Sequence, residues 1–156
     1  MFHSWLHQIA LILYVGAVVG LWVLLLPSVS ALDKFEDRVH FLSRGLKLYN
    51  PLQVGALGVL LFTGAFQLTD LKAALRETFL KHIGYNLGVK LFFVFVLVIF
   101  SVYQAMGIGH RFVKRYETGE PITPQEVHAV TRRLLTAHWC ILILVVITTW
   151  LGLTLR

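Results

Sequence analysis

Four apolar runs, each close to the length a helix needs to cross a bilayer, constrain this chain more than any other feature. Crossing the hydrocarbon takes about 20 apolar residues in a helix. The runs cover residues 5–32, 51–68, 83–108 and 134–155. Residues 91–100, Leu-Phe-Phe-Val-Phe-Val-Leu-Val-Ile-Phe, show none of the period-two alternation that a β-barrel strand requires. The expected fold is therefore all-α, an integral membrane bundle of four transmembrane helices. Composition agrees: 57% of residues are apolar and 14% charged, against about 25% charged in a soluble domain. Too little polar surface remains to cover a globule in water, so lipid must cover the rest.

The net charge of +6 raises nucleic acid as a partner. Here the Lys and Arg residues sit between and beside the apolar runs, with no basic stripe interleaved with aromatics, so nucleic acid is excluded. Cys140 is the only cysteine, which removes disulfide frameworks and thiolate clusters. No Lys or Arg precedes the first run, which reads as a retained helix and not a cleaved leader.

The connections also carry helical patterns. Residues 33–50 mix charges with Phe35, Val39, Leu42 and Leu46, extending the second helix into water, with a kink expected at Pro51. Residues 70–82 place Leu71, Leu75, Phe79 and His82 on one face, the pattern of a short amphipathic helix lying on the membrane surface. Thr123-Pro124-Gln125-Glu126 is a capping box, starting the fourth helix about ten residues before the membrane. The first and third connections carry Lys34, Arg38, Arg44, Lys47, Arg111, Lys114, Arg115, Arg132 and Arg133. The second connection and the termini carry Lys72, Arg76, Lys81 and Arg156. Nine against four places the first group in the cytoplasm and both termini outside it.

Polar residues inside a membrane mark function. Of seven histidines, His7 and His138 lie within apolar runs, while His82 and His110 sit at opposite ends of the third. At about 100° per residue His7 shares a face with Tyr14, and Gly16 and Gly20 form a GxxxG packing pattern on the other side. Asn86, Lys90, Ser101 and Gln104 share one face of the third helix. His138, Thr149 and Gly152 share one face of the fourth. Lys90 reads either as a lysine reaching headgroups or as a counter-charge for an anionic ligand group such as a propionate. Two sites follow: one with His7, Lys90 and His82, the other with His138 and either His110 or His40. Inward imidazoles and apolar walls suit a b-type haem (heme b). A copper site lacks gathered Met and Cys ligands, and a hydrolytic zinc site lacks an HExxH-type motif or an intramembrane carboxylate pair.

Trp5-Leu6-His7 followed by Gly16, Gly20-Leu21 and Leu26-Pro27 resembles the first helix of HemJ-type membrane protoporphyrinogen oxidases. Asn50-Pro51 with Gly58 and Gly64 resembles their second helix, and Gly84-Tyr85 through Lys90-Leu91-Phe92, then Tyr103, their third. The stretch from Phe41-Leu42-Ser43 to Thr63-Gly64, with Gly88-Val89-Lys90-Leu91, is similar to CopD-type copper-resistance membrane domains. The resemblance implies a bundle in a bacterial-type plasma membrane that binds haem b, with His7 as axial ligand and Lys90 as companion. Where the HemJ pattern has an arginine after leucine-proline and a histidine after the third-helix tyrosine, this chain has Ser28-Val29-Ser30 and Gln104. The expectation is accordingly an electron-transfer subunit, working with other membrane subunits or as a homo-oligomer. A HemJ-like oxidase and a CopD-like copper transporter are the alternatives, and a structural subunit without cofactor is the plainest one.

Overall fold

In the computed structural model, which describes residues 2–75 and 84–153, all the regular structure is helical. Helix α1 (residues 2–31) runs through Phe2–Gly20, a π-wound turn at Leu21–Leu25, and Leu26–Ala31. The π turn ends two residues before Pro27. Proline has no N–H for the carbonyl four residues back and its ring crowds that carbonyl, so a wider turn there relieves both. Helix α2 is Phe35–Leu75, with Glu36 and Asp37 at its positively polarised start. Helix α3 (residues 84–117) joins Gly84–Val102, a π-wound stretch Tyr103–His110, and Arg111–Glu117. Helix α4 is Pro124–Leu153. All four are long and apolar enough to cross a membrane, compatible with a multi-pass membrane protein.

The expected extension of the second helix is present, running through Pro51 as one element, and one expectation about α2 changes. Residues 70–75 continue α2, so no separate surface helix begins at Asp70; residues 76–83, where the rest of that expected helix falls, lie outside the described residues. The capping box before α4 forms reciprocally: the Glu126 N–H donates to Thr123 Oγ1 at 3.3 Å, and the Thr123 N–H donates to Glu126 Oε2 at 2.9 Å. Helix α3 ends at Glu117, and the φ of 71° at Gly119 allows the Glu120 N–H to turn back to the Arg115 carbonyl at 3.1 Å.

The helices alternate in direction. His7 meets Thr63, and Gly20 packs on Tyr49. Asn50 meets Ala105, and Lys90 lies over Gly152. One end of the bundle therefore carries the chain termini and the other the connectors at residues 32–34 and 118–123. Apolar side chains such as Ile12, Phe92, Val146 and Trp150 face outward, where a bilayer would cover them. Of the expected GxxxG pair, Gly20 makes a close approach, while nothing stands near Gly16.

Inside are two apolar clusters. The connector-end cluster holds Leu21, Leu25, Leu42, Leu46, Ile108, Phe112 and Leu134 among others. The terminal-end cluster holds Ala10, Tyr14, Val18, Leu57, Leu60, Leu97 and Ile141 among others. Their boundary is polar. On α2, Asn50 and Gln53 fall between Leu46 and Ala56. On α3, Ser101 and Gln104 fall between Leu97 and Ile108. On α4, His138 falls between Leu134 and Ile141.

Candidate functional site

Each buried histidine is oriented by a partner that settles where its proton resides. His7 Nδ1 lies 2.8 Å from Thr63 Oγ1. The single hydroxyl proton of Thr63 goes to the Val59 carbonyl at 2.7 Å, shared with that of Leu60 at 3.2 Å. Thr63 Oγ1 must therefore accept, and His7 Nδ1 must donate. In the neutral ring this leaves the Nε2 lone pair free, the arrangement that ligating imidazoles use. The ring is partly buried and its Cε1 lies over Gly64, where an added Cβ would stand 3.6 Å away.

Lys90 stands within electrostatic reach of His7. Its Nζ lies 3.0 Å from where a Cβ on Gly152 would be, so a larger residue at that position would displace the ammonium. Sequence reading put Gly152 on the His138 face as a small residue leaving room, and the structure shows Lys90 as the group that uses the room. Asn86 and Thr149, expected on the same faces, are exposed. Thr148, which the sequence did not single out, caps the Leu144 carbonyl at 2.9 Å. His82, proposed as a companion to His7, lies outside the described residues.

His138 is oriented the same way in a different setting. Its Nδ1 lies 2.7 Å from the Leu134 carbonyl, which can only accept. Nε2 is again the free lone pair, but here it is enclosed, without a hydrogen-bond partner, on a side chain that is 0% exposed. The structure does not bring His110 or His40 to it. Both are exposed, and His40 Nδ1 bonds Tyr116 Oη at 2.9 Å. Along α3, His110 and Tyr116 lie about 9 and 18 Å beyond the level of Gln104 and His138.

His7 and His138 also stand at different depths. His7 is eleven residues along α1 from Val18, at the polar boundary, which is about 16 Å of helix. A single metal ion held by both rings would need their nitrogens within about 4 Å of each other, given metal–imidazole bonds of about 2 Å. One iron cannot take both. Among the described residues no three His, Cys, Asp or Glu side chains are grouped to hold a metal by themselves.

Tyr14 has another role. Ser101 gives its proton to the Leu97 carbonyl at 2.8 Å, so Tyr14 Oη donates to Ser101 Oγ at 2.5 Å, tying α1 to α3. Gln53 approaches the same hydroxyl without completing a bond. Gln53 escaped the sequence reading, and Asn50 entered it only through the Asn50-Pro51 motif; the signal was two amides three residues apart at the edge of an apolar run.

The residues present fit a haem at His7 and do not fit one at His138. His7 offers an oriented lone pair on a ring that is not sealed in, with a cation nearby. His138 offers the lone pair, but packed side chains close around it and leave no exposed surface for a porphyrin face. A groove of about 320 Å³ between α1 and α2, lined by Leu6, Ile9, Ala10, Pro51 and Gly55 among others, presents no ligating side chain. Family models, curated proteins and solved structures give no match to this chain.

Proposed function

We propose that this chain is a haem b-binding membrane subunit that carries electrons, with the haem held at the terminal end by His7. The observation that supports this is the proton placement on His7, where Thr63 accepts from Nδ1 and leaves Nε2 free. Bound there, haem b supplies a reversible one-electron couple.

The chain's own residues then have defined tasks. His7 Nε2 would hold the iron through its free lone pair, and Thr63 orients the imidazole. Lys90 would neutralise a propionate, an interaction that suits a cation at this depth. Leu57, Leu60 and Leu97 of the neighbouring cluster exclude water from the side facing the bundle interior. His110 and His138 take no part at this iron. The distribution of Lys and Arg supports a cytoplasmic connector end and termini outside, in a bacterial-type plasma membrane.

The test is a reduced-minus-oxidised spectrum of the full chain purified after haem-replete expression. A b-type α-band is expected, lost in His7→Ala and retained in His138→Ala. A colourless wild-type protein, or a band indifferent to His7→Ala, overturns the reading. Copper without iron in the same sample would point to the copper-transport alternative. His7-dependent rescue of a strain lacking protoporphyrinogen oxidation would make the same haem site catalytic.

A further inference from the structure

The polar layer between the two apolar clusters takes no part in the haem reading, and its bonding is incomplete. Among the described residues, six buried side-chain atoms have no hydrogen-bond partner: Asn50 Oδ1, both polar atoms of the Gln53 and Gln104 amides, and His138 Nε2. Gln53, Gln104 and His138 are 0% exposed and Asn50 8%. Three helices contribute them, all at one depth. A buried polar group without a partner loses its hydration and gains nothing in return, so native interiors rarely leave such groups bare.

Protonation and chemistry define what would satisfy them. The unmet donors are the two glutamine amide nitrogens. The unmet acceptors are Asn50 Oδ1, the two glutamine oxygens and His138 Nε2, whose ring proton is committed to Leu134. Tyr14 Oη adds acceptor capacity beside Gln53, because its own proton goes to Ser101. A cation would satisfy the acceptors and leave the amide N–H groups bare. An anion would do the reverse. A neutral molecule that both donates and accepts satisfies both sets, and the complete enclosure limits it to a small one.

Backbone geometry points to the same place. Both π-wound stretches, Leu21–Leu25 and Tyr103–His110, border this layer. A π turn displaces backbone carbonyls from regular i→i+4 pairing, and such turns gather at functional sites. Asn50 Nδ2 already takes the Ala105 carbonyl at 3.2 Å. Trp22 and Trp139, edge to face with centroids 4.9 Å apart, join α1 to α4 next to His138.

We infer that the layer formed by Asn50, Gln53, Gln104 and His138 is an occluded site for water, holding internal waters that bridge these four side chains and extend to Tyr14. Water has two donors and two acceptors and is the smallest molecule that balances both lists. The apolar clusters above and below seal the site, so its waters exchange slowly and do not form an open pore. This goes beyond the haem reading and does not rest on it.

The test uses the full wild-type chain in lipid nanodiscs, exposed to radiolytically generated hydroxyl radicals. These form from water and oxidise side chains that touch it. Tyr14 and His138 should be oxidised within about tenfold of the exposed Tyr116 at the connector end, although both are 0% exposed. Oxidation of Tyr116 with none at Tyr14 or His138 overturns the proposal. A second measurement compares Gln104→Leu and Gln53→Leu with the wild type. If waters satisfy the amides, each variant should unfold roughly 3–6 °C lower. If the amides are bare and dry, removing them should raise the midpoint, which also overturns the proposal. A hydroxylated or quinone-type lipid copurifying at one per chain, and lost in both variants, would show that the site takes a membrane-soluble headgroup instead. The radical experiment needs no variant to fold and stands whether or not the protein carries pigment.

Discussion

The two ends of the bundle are built differently. On α3, residues 84–96 include no buried residue, whereas residues 104–113 include six: Gln104, Ala105, Ile108, Gly109, Phe112 and Val113. The connector end also has the polar ties. Lys47 pairs with Glu117 at 2.5 Å, and Arg115 pairs with Glu120 and Glu126 at 2.8 and 2.7 Å. These pairs are exposed and add little to stability by themselves; they align helices that Leu42, Leu46 and Leu134 already lock. The terminal end holds the accessible imidazole and the lysine on a looser frame. Burial is thus divided along the bundle axis, and the haem proposed at His7 would sit at the end where the third helix is less buried.

The largest test of that division is paired truncation. Leu134→Ala, at a 0% exposed position in the connector-end cluster, should cost about 3–4 kcal/mol in reversible unfolding. Leu97→Ala, 6% exposed among partly buried neighbours, should cost about 2 kcal/mol. Equal losses would break the comparison. Thr63→Val keeps the shape of the side chain and removes the acceptor for His7 Nδ1. Loss of such an outer-shell bond weakens cofactor affinity about 10–100-fold and should cost only about 1 kcal/mol of stability. A haem titration and a melt on one preparation read both numbers. Undiminished affinity would mean that Thr63 does not orient the ligand. The smallest effect belongs to the α4 cap: Thr123→Ala should cost about 0.5–1 kcal/mol with the spectrum unchanged. A spectral shift would show that the two ends are coupled.

Much of the architecture was legible in the residues because a bilayer leaves few choices. Backbone polar groups in hydrocarbon must pair within their own helix, so four long apolar runs mean four helices. The capping box at Thr123 and Glu126 was equally readable, since it depends on residues three apart. The end of α2 was not. The face of residues 70–82 has the periodicity of a surface helix, but residues 70–75 simply continue α2, and local periodicity does not distinguish a new helix from the end of an old one. The pairing of His110 with His138 was not legible either: His110 is exposed and lies farther along α3 than the buried Gln104, and run boundaries alone do not fix depth to within a turn.

What the sequence determined alone was the number of helices, their apolar character and the identity of the few polar groups among them, since each follows from contacts within a turn or two and from the cost of burying charge in lipid. What only the tertiary structure decided was which polar groups meet. His7 found Thr63, Tyr14 found Ser101, and His138 was enclosed beside amides that have no partner, across separations such as the 56 and 87 residues of the first two pairs. Those meetings depend on helix register and rotation, which packing of the two apolar clusters sets and no local pattern encodes.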